Sequence, residues 1–182
     1  NQTKAYELTS CFEGLVEYYR VTGIEKYRTA CLNYYRLVSE NELTVAGSGG
    51  GSGSGSDYPY PNPGGEEQWN HMAVNQTDSS IQHMQETCIT VTWMKYCFQV
   101  LRLAGDAKIA DDIELSAYNA LIGSMKLYGA ETADYPFLFD YFSRLNGTRL
   151  NAGGGAIFSV ADGQPIGSCC SANGDSGTGL LP

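Results

Sequence analysis

Apolar residues recur at helical spacing from the start of the chain. Leu8, Phe12, Leu15, Val16 and Tyr19 fall on one face of a segment from about Lys4 to Arg20. Thr22-Gly23 then supplies a stop, because glycine takes the left-handed conformation a helix end favours. The pattern resumes from about Glu25 to Val38, with Tyr27, Cys31, Tyr34, Leu37 and Val38 as its apolar positions. Two helices joined by so short a turn predict an antiparallel hairpin. Downstream the arrangement recurs. Met84, Cys88, Val91, Met94, Phe98 and Leu101 predict a long helix from about Ser80 to Leu103, and another follows Ala104-Gly105 from about Ala107 to Met125. The two turns share the pattern Arg-x-x-Gly-x-x-Lys-apolar, from Arg20 to Tyr27 and from Arg102 to Ile109. Recurrence of one hairpin unit points to a helical solenoid or toroid.

In such a stack the short turns lie at one end and the connections between hairpins at the other. Those connections are long, from about Ser39 to Ser79 and from about Lys126 to Ser168. Loops of that length inside a compact domain are usually functional or disordered. Gly47 to Ser56 holds only glycine and serine, natural or engineered, and is expected to be flexible. Glu42 to Ala46 reads as a short strand. Phe137 to Phe142 reads as another, with Ile157 to Val160 as its partner across Asn146-Gly147 and Gly153-Gly154-Gly155.

Composition changes this picture in three ways. The 182 residues, 42% of them hydrophobic, suffice for one modest core or for part of a larger one. A net charge of −9 argues against a nucleic-acid partner, which would require a concentrated basic surface. No apolar run approaches the roughly 20 residues of a membrane-spanning helix. The chain opens on Asn1-Gln2-Thr3 without a methionine or a signal segment, and reads as a piece of something longer. Asn1, Asn75 and Asn146 begin glycosylation triplets, which matter only in a eukaryotic secretory route.

Only two histidines are present, His71 and His83, and surface or capping roles suit them best. The six cysteines sit at 11, 31, 88, 97, 169 and 170, in a chain too helical for a small disulfide-stapled scaffold. Cys169 and Cys170 do not readily reach disulfide geometry with each other. Cys11, Cys31 and Cys97 fall on apolar faces and are expected in the core. Glu86 and Cys88 follow the first long connection, and Cys169 and Cys170 follow the second, so stacking puts all four at one end. One carboxylate and three thiolates make a sensible tetrahedral zinc site. By spacing alone the same residues also fit core thiols and a carboxylate drawn to a helix N-terminus.

Three stretches resemble glycoside hydrolase family 127, the beta-L-arabinofuranosidase-like enzymes. The first is Lys4-Ala5-Tyr6-Glu7 continuing through Glu17-Tyr18-Tyr19 to Arg20-Val21-Thr22-Gly23. The second is Met84-Gln85-Glu86-Thr87-Cys88 with Val91-Thr92-Trp93-Met94-Lys95, and the third is Cys169-Cys170-Ser171-Ala172-Asn173-Gly174. The resemblance implies an all-α fold, a partial (α/α)6 toroid of helical hairpins with small β ornaments in its long loops. Residues 1–182 would then be part of one catalytic domain. A six-hairpin ring needs roughly 240 residues plus loops. Only two complete hairpins are present, so the chain by itself is expected to be inactive.

The resemblance further implies a Zn2+ cofactor held by Glu86, Cys88, Cys169 and Cys170. Cys169 would be the nucleophile of a retaining glycosidase acting on terminal beta-L-arabinofuranosides or related sugars in a carbohydrate substrate. The general acid/base would be Glu66 or Glu67, within Gly64-Gly65-Glu66-Glu67-Gln68-Trp69, and the choice between them is open. Trp69 and Tyr58 are candidates for stacking on a sugar face or for packing under a loop. Asp175-Ser176-Gly177 departs from the family's usual Pro-Arg-Gly after Asn-Gly. The rival function is a non-catalytic helical-hairpin binding scaffold whose cysteines are structural.

Overall fold

The computed structural model describes residues 4–53, 68–79, 81–125, 139–147, 149–150, 157–159 and 165–181. Helices α1 (Ala5–Thr22) and α2 (Glu25–Asn41) form the first hairpin, and α4 (Thr87–Ala104) and α5 (Ala107–Leu115) the second. A single turn, α3 (Met72–Asn75), lies between them, and α6 (Cys169–Thr178) follows. The two hairpin turns are built alike. Gly23 and Gly105 take φ of 66° and 67°, and their N–H groups return to Tyr19 O at 2.7 Å and Leu101 O at 2.8 Å. A side chain in that left-handed conformation costs about 1–2 kcal/mol, so the shared Arg-x-x-Gly pattern has a backbone cause.

The central rod is α4. It is buried from Thr87 through Met94 and again at Tyr96, Cys97 and Val100, with α1, α5 and α6 packed against it. Trp93 stacks on Tyr35 with centroids 5.6 Å apart, and Phe12 stacks on Tyr34 at 4.0 Å. Val16, Cys31, Val38 and Ile109 complete this core, and the Tyr96 hydroxyl donates to Cys31 O at 2.7 Å. Cys31 and Cys97 are buried as expected, whereas Cys11 is exposed. The cause is rotation: Cys11 lies two residues, about 200°, around α1 from buried Thr9.

Asp112 ties α5 to α2. Its carboxylate accepts from Tyr35 Oη at 2.6 Å and Ser39 Oγ at 2.7 Å, and it pairs with Lys108. Burial, together with this anion, raises the Tyr35 phenol and keeps it a donor. Removing the acceptor strands buried donors. We therefore expect Asp112→Ala to lower the unfolding free energy by about 3 kcal/mol, read from urea denaturation midpoints. An unchanged midpoint would mean that the contact contributes nothing.

Four local expectations are corrected. The long helix starts at Thr87 rather than Ser80, because Gln85 takes φ of 54° and breaks the run. Ile81–Met84 instead forms strand β2, antiparallel to β1 (Gly51–Gly53). The glycine–serine segment is therefore not a flexible tether over residues 47–53, while 54–56 lie outside the described residues. Such a run buries no apolar side chain of its own, but its bare backbone fits beneath its neighbours. Gly47, at φ of 82°, lies so close to the end of α5 that a Cβ would sit 2.7 Å from Ser116 N. A Cβ on Gly49 would sit 2.7 Å from the Trp69 ring, and one on Gly50 would run into Ile89. Ser48 Oγ shares a hydrogen bond with Thr90 Oγ1 at 2.6 Å.

The helix expected to reach Met125 does run on to Gly123, by way of a π-helical turn, Ser116–Leu121, where Ser116 Oγ donates to Gly47 O at 2.6 Å. Residues 42–46 form a turn, closed by Thr44 N–H to Ser48 O at 2.7 Å, rather than a strand. Finally, β3 (Phe142–Ser143) pairs with β4 (Arg149–Leu150), and β5 (Ile157–Ser159) pairs with β6 (Pro165–Ser168). The Asn146-Gly147 turn, with Gly147 at φ of 87°, joins nearest neighbours rather than reaching Ile157. The frame is all-α with two-stranded ornaments among the described residues. No helix among them is long and apolar enough to cross a membrane.

Candidate metal centre

Three connections converge on the N-terminus of α4. Gln85 N–H donates to Gly50 O at 3.1 Å, which anchors the glycine segment. Glu86 bridges to Phe142, Thr87 N–H donates to Tyr141 O at 3.1 Å, and Thr87 Oγ1 donates to Asp140 O at 2.7 Å. From the other side, β6 runs straight into α6, which docks against α4. Its glycines permit the approach. A Cβ on Gly174 would run into the Phe139 ring, and one on Gly177 would sit 2.6 Å from Val91 Cγ2. Asp175 and Ser176 on the same helix are exposed, whereas Gly174 and Gly177 are buried.

This docking brings together residues more than 80 positions apart. One ligand atom each of Glu86, Cys88, Cys169 and Cys170 lies within 4.8 Å of all the others. Cys170 Sγ is 3.1 Å from Cys88 Sγ and 3.6 Å from Glu86 Oε1. Glu86 occupies the N-cap position of α4 but makes no side-chain cap bond, so its carboxylate turns to the sulfurs instead. Glu86 and Cys170 are 0% exposed and Cys88 is 2% exposed, whereas Cys169 is half-buried. The N-termini of α4 and α6 both meet this group, and their dipoles favour negative charge there.

The protons divide unevenly over the thiols. Cys169 lies well below the ordinary thiol value, because Cys170, Cys88 and the Tyr141 hydroxyl all donate toward it. Cys88 is raised, first by the hydrogen bond it gives Cys169, with burial and the Glu86 charge adding to the effect. Burial raises Cys170. Four soft or anionic donors, three of them buried and all crowded together, can hold a metal ion. A tetrahedral zinc with sulfur arms of about 2.3 Å would space its ligand atoms about 3.8 Å apart, within the range seen here.

Glu66, Glu67 and Tyr58 lie outside the described residues. Trp69, partly buried, packs on the first core and donates through Nε1 to Tyr34 Oη at 3.0 Å, which is the loop-packing role. His71 is exposed, 3.8 Å from Glu42, and His83 stacks on Phe142 at 4.5 Å. Two residues that were not singled out reach the cluster. Tyr141 Oη is 3.2 Å from Cys169 Sγ, and Asn173 Nδ2 is 3.4 Å from Cys88 Sγ. Asn173 stands one helical turn after Cys169, a spacing that marks a shared face; Tyr141 carried no signal inside its aromatic run.

Residues 1–137 match the profile of the beta-L-arabinofuranosidase GH127 catalytic domain. That span holds Glu86 and Cys88, while Cys169 and Cys170 lie beyond it. No curated protein matches the chain. Among solved structures it is similar to a GH127 beta-L-arabinofuranosidase from Geobacillus stearothermophilus T6, with a TM-score of 0.59 and 21% identity over 79% of this chain. It is also similar to a structure described as a glycoside hydrolase, with a TM-score of 0.56 and 17% identity over 94% of this chain. At those identities the likeness is one of fold. The chain spans 19% and 27% of the length of these two structures.

Proposed function

The chain belongs to the beta-L-arabinofuranosidase GH127 catalytic-domain family, and from that premise we propose that the protein is a retaining glycosidase with a zinc-held cysteine nucleophile. Residues 1–182 are then part of one catalytic domain, and the substrate is a carbohydrate bearing a terminal beta-L-arabinofuranoside or a related sugar. The observation that carries the proposal is the convergence of Glu86, Cys88, Cys169 and Cys170 to within 4.8 Å. In this reading all four hold the metal. Bound zinc supplies charge that keeps buried thiols ionised at neutral pH.

The remaining chemistry belongs to the chain's own residues. Cys169 is the one sulfur-bearing residue of the cluster that is partly exposed, so it is the one a sugar can reach. Its sulfur attacks the anomeric carbon as the glycosidic C–O bond breaks, and the leaving oxygen takes a proton from a carboxylic acid. That acid is Glu66 or Glu67. The resulting glycosyl–cysteine bond is then displaced by a water whose proton returns to the same carboxylate. Tyr141, donating to Cys169 Sγ, steadies the sulfur between the two steps.

The direct test is metal content together with turnover. Full-length protein purified under reducing conditions should hold zinc in stoichiometric amount and should release arabinose from a terminal beta-L-arabinofuranoside. Folded protein that holds no metal would rule the mechanism out.

A further inference from the structure

We propose that Asn173 is a positioning residue of this centre, donating one amide hydrogen to the Cys88 sulfur and the other to the main-chain carbonyl of Cys169. The proposal rests on the zinc reading above. Asn173 Nδ2 lies 3.4 Å from Cys88 Sγ and 2.9 Å from Cys169 O. The second contact orients the amide, because a carbonyl oxygen only accepts and the nitrogen must therefore face it. The second hydrogen of the same nitrogen is then available to the sulfur. A single side chain thus spans two metal-holding segments, the first turn of α4 and the first turn of α6.

The other sulfurs have donors of their own. Cys170 Sγ receives the Cys88 main-chain N–H at 3.4 Å, one of the first-turn donors that α4 cannot satisfy internally. Cys169 Sγ meets the Tyr141 hydroxyl at 3.2 Å. Cys88 is 2% exposed, so solvent cannot replace the amide hydrogen that Asn173 brings. Hydrogen bonds to ligand sulfurs hold their orientation and relieve part of their charge, and their loss typically costs 10–100-fold in metal affinity. The short asparagine side chain spans the gap because Gly174 and Gly177 seat α6 tightly against Phe139 and Val91.

The experiment uses full-length protein and four forms: wild type, Asn173→Ala, Asn173→Asp and, as a control, Asp175→Ala at an exposed position of the same helix. Zinc affinity is measured by competition with a chelator of known affinity. Cobalt replaces zinc in parallel, since its sulfur-to-metal charge-transfer absorption reports the thiolates directly. Asn173→Ala is expected to weaken zinc about 10–100-fold, to shift the cobalt–thiolate band, and to lower kcat with little change in KM. Asn173→Asp keeps the volume but places a carboxylate against a thiolate and a carbonyl, so its loss should be at least as large. It decides the matter if the alanine variant fails to fold. Asp175→Ala should match wild type. Zinc affinity within about twofold of wild type, with an unchanged cobalt spectrum, overturns the role of Asn173. So does an equal loss in Asp175→Ala. If wild type itself takes up no metal, the zinc reading falls first.

Discussion

Replacing Cys169 by serine is expected to lower kcat on a terminal beta-L-arabinofuranoside by at least about 10⁴-fold, roughly 5.5 kcal/mol of transition-state stabilisation. The position rather than the residue type makes Cys169 the target. Cys88 and Cys170 present the same chemistry but are enclosed, whereas Cys169 opens α6 with part of its surface free. A serine hydroxyl at that position stays protonated where a thiol ionises, and it is a poorer partner for a soft metal. Metal loss and nucleophile loss would look alike in a simple rate measurement, so the variant should be assayed with zinc held in excess and its bound metal counted. A metal-loaded variant with retained turnover would falsify the nucleophilic role. A second readout is stereochemical. Early product from the wild type should keep the anomeric configuration of the substrate, because two displacements restore what one inverts.

Metal removal should have an effect of comparable size on stability. Glu86 and Cys170 are fully buried and Cys88 nearly so. With a cation present, their negative charges are compensated; without one, most of them must take up protons, because closely spaced like charges in low dielectric cannot all ionise. A ligand at a thousandfold excess over its dissociation constant contributes about 4 kcal/mol to the folded state. For a domain of this size that corresponds to a melting temperature lower by roughly 10 °C after chelation. Calorimetry before chelation, after it, and after zinc is restored checks this. Stripped protein that melts unchanged, or that regains neither Tm nor turnover with zinc, would argue that the cluster is a group of structural thiols. The loss should be local as well, with protease sensitivity appearing first around residues 139–143 and at the start of α6. Those segments meet at the cluster, through Thr87 to Tyr141 O and Asp140 O and through Cys170 beside Cys88.

The two hairpins were legible because their causes are local. Apolar spacing on α1, α2 and α4 reports directly which face is buried, and Gly23 and Gly105 mark turns that only a left-handed residue closes cheaply. The four donor residues were legible as types, since Glu86, Cys88, Cys169 and Cys170 are a coherent ligand set wherever they stand. What misled was composition read without context. The glycine–serine run looks flexible in isolation, and residues 47–53 are ordered because Ser116, Trp69 and Ile89 close over them. Cys11 looks like a core thiol by residue type, and its phase on α1 places it outside. The strand partners were misassigned because the tight turn at Gly147 pairs Phe142 with Leu150, the nearer strand, and the aromatic run does not record that.

The sequence by itself determined the helical frame, the position of its turns and the chemistry of the candidate metal donors, because helix periodicity, glycine backbone freedom and thiol softness are properties of residues and their near neighbours. The tertiary structure alone decided that Cys88 and Cys170 come within 3.1 Å, that Cys169 is the sulfur left partly open, and that Tyr141 and Asn173 supply hydrogen bonds to the group. These depend on how closely α6 seats against α4. That distance is set by the missing side chains of Gly174 and Gly177 against Phe139 and Val91, contacts between residues dozens of positions apart that no local pattern encodes.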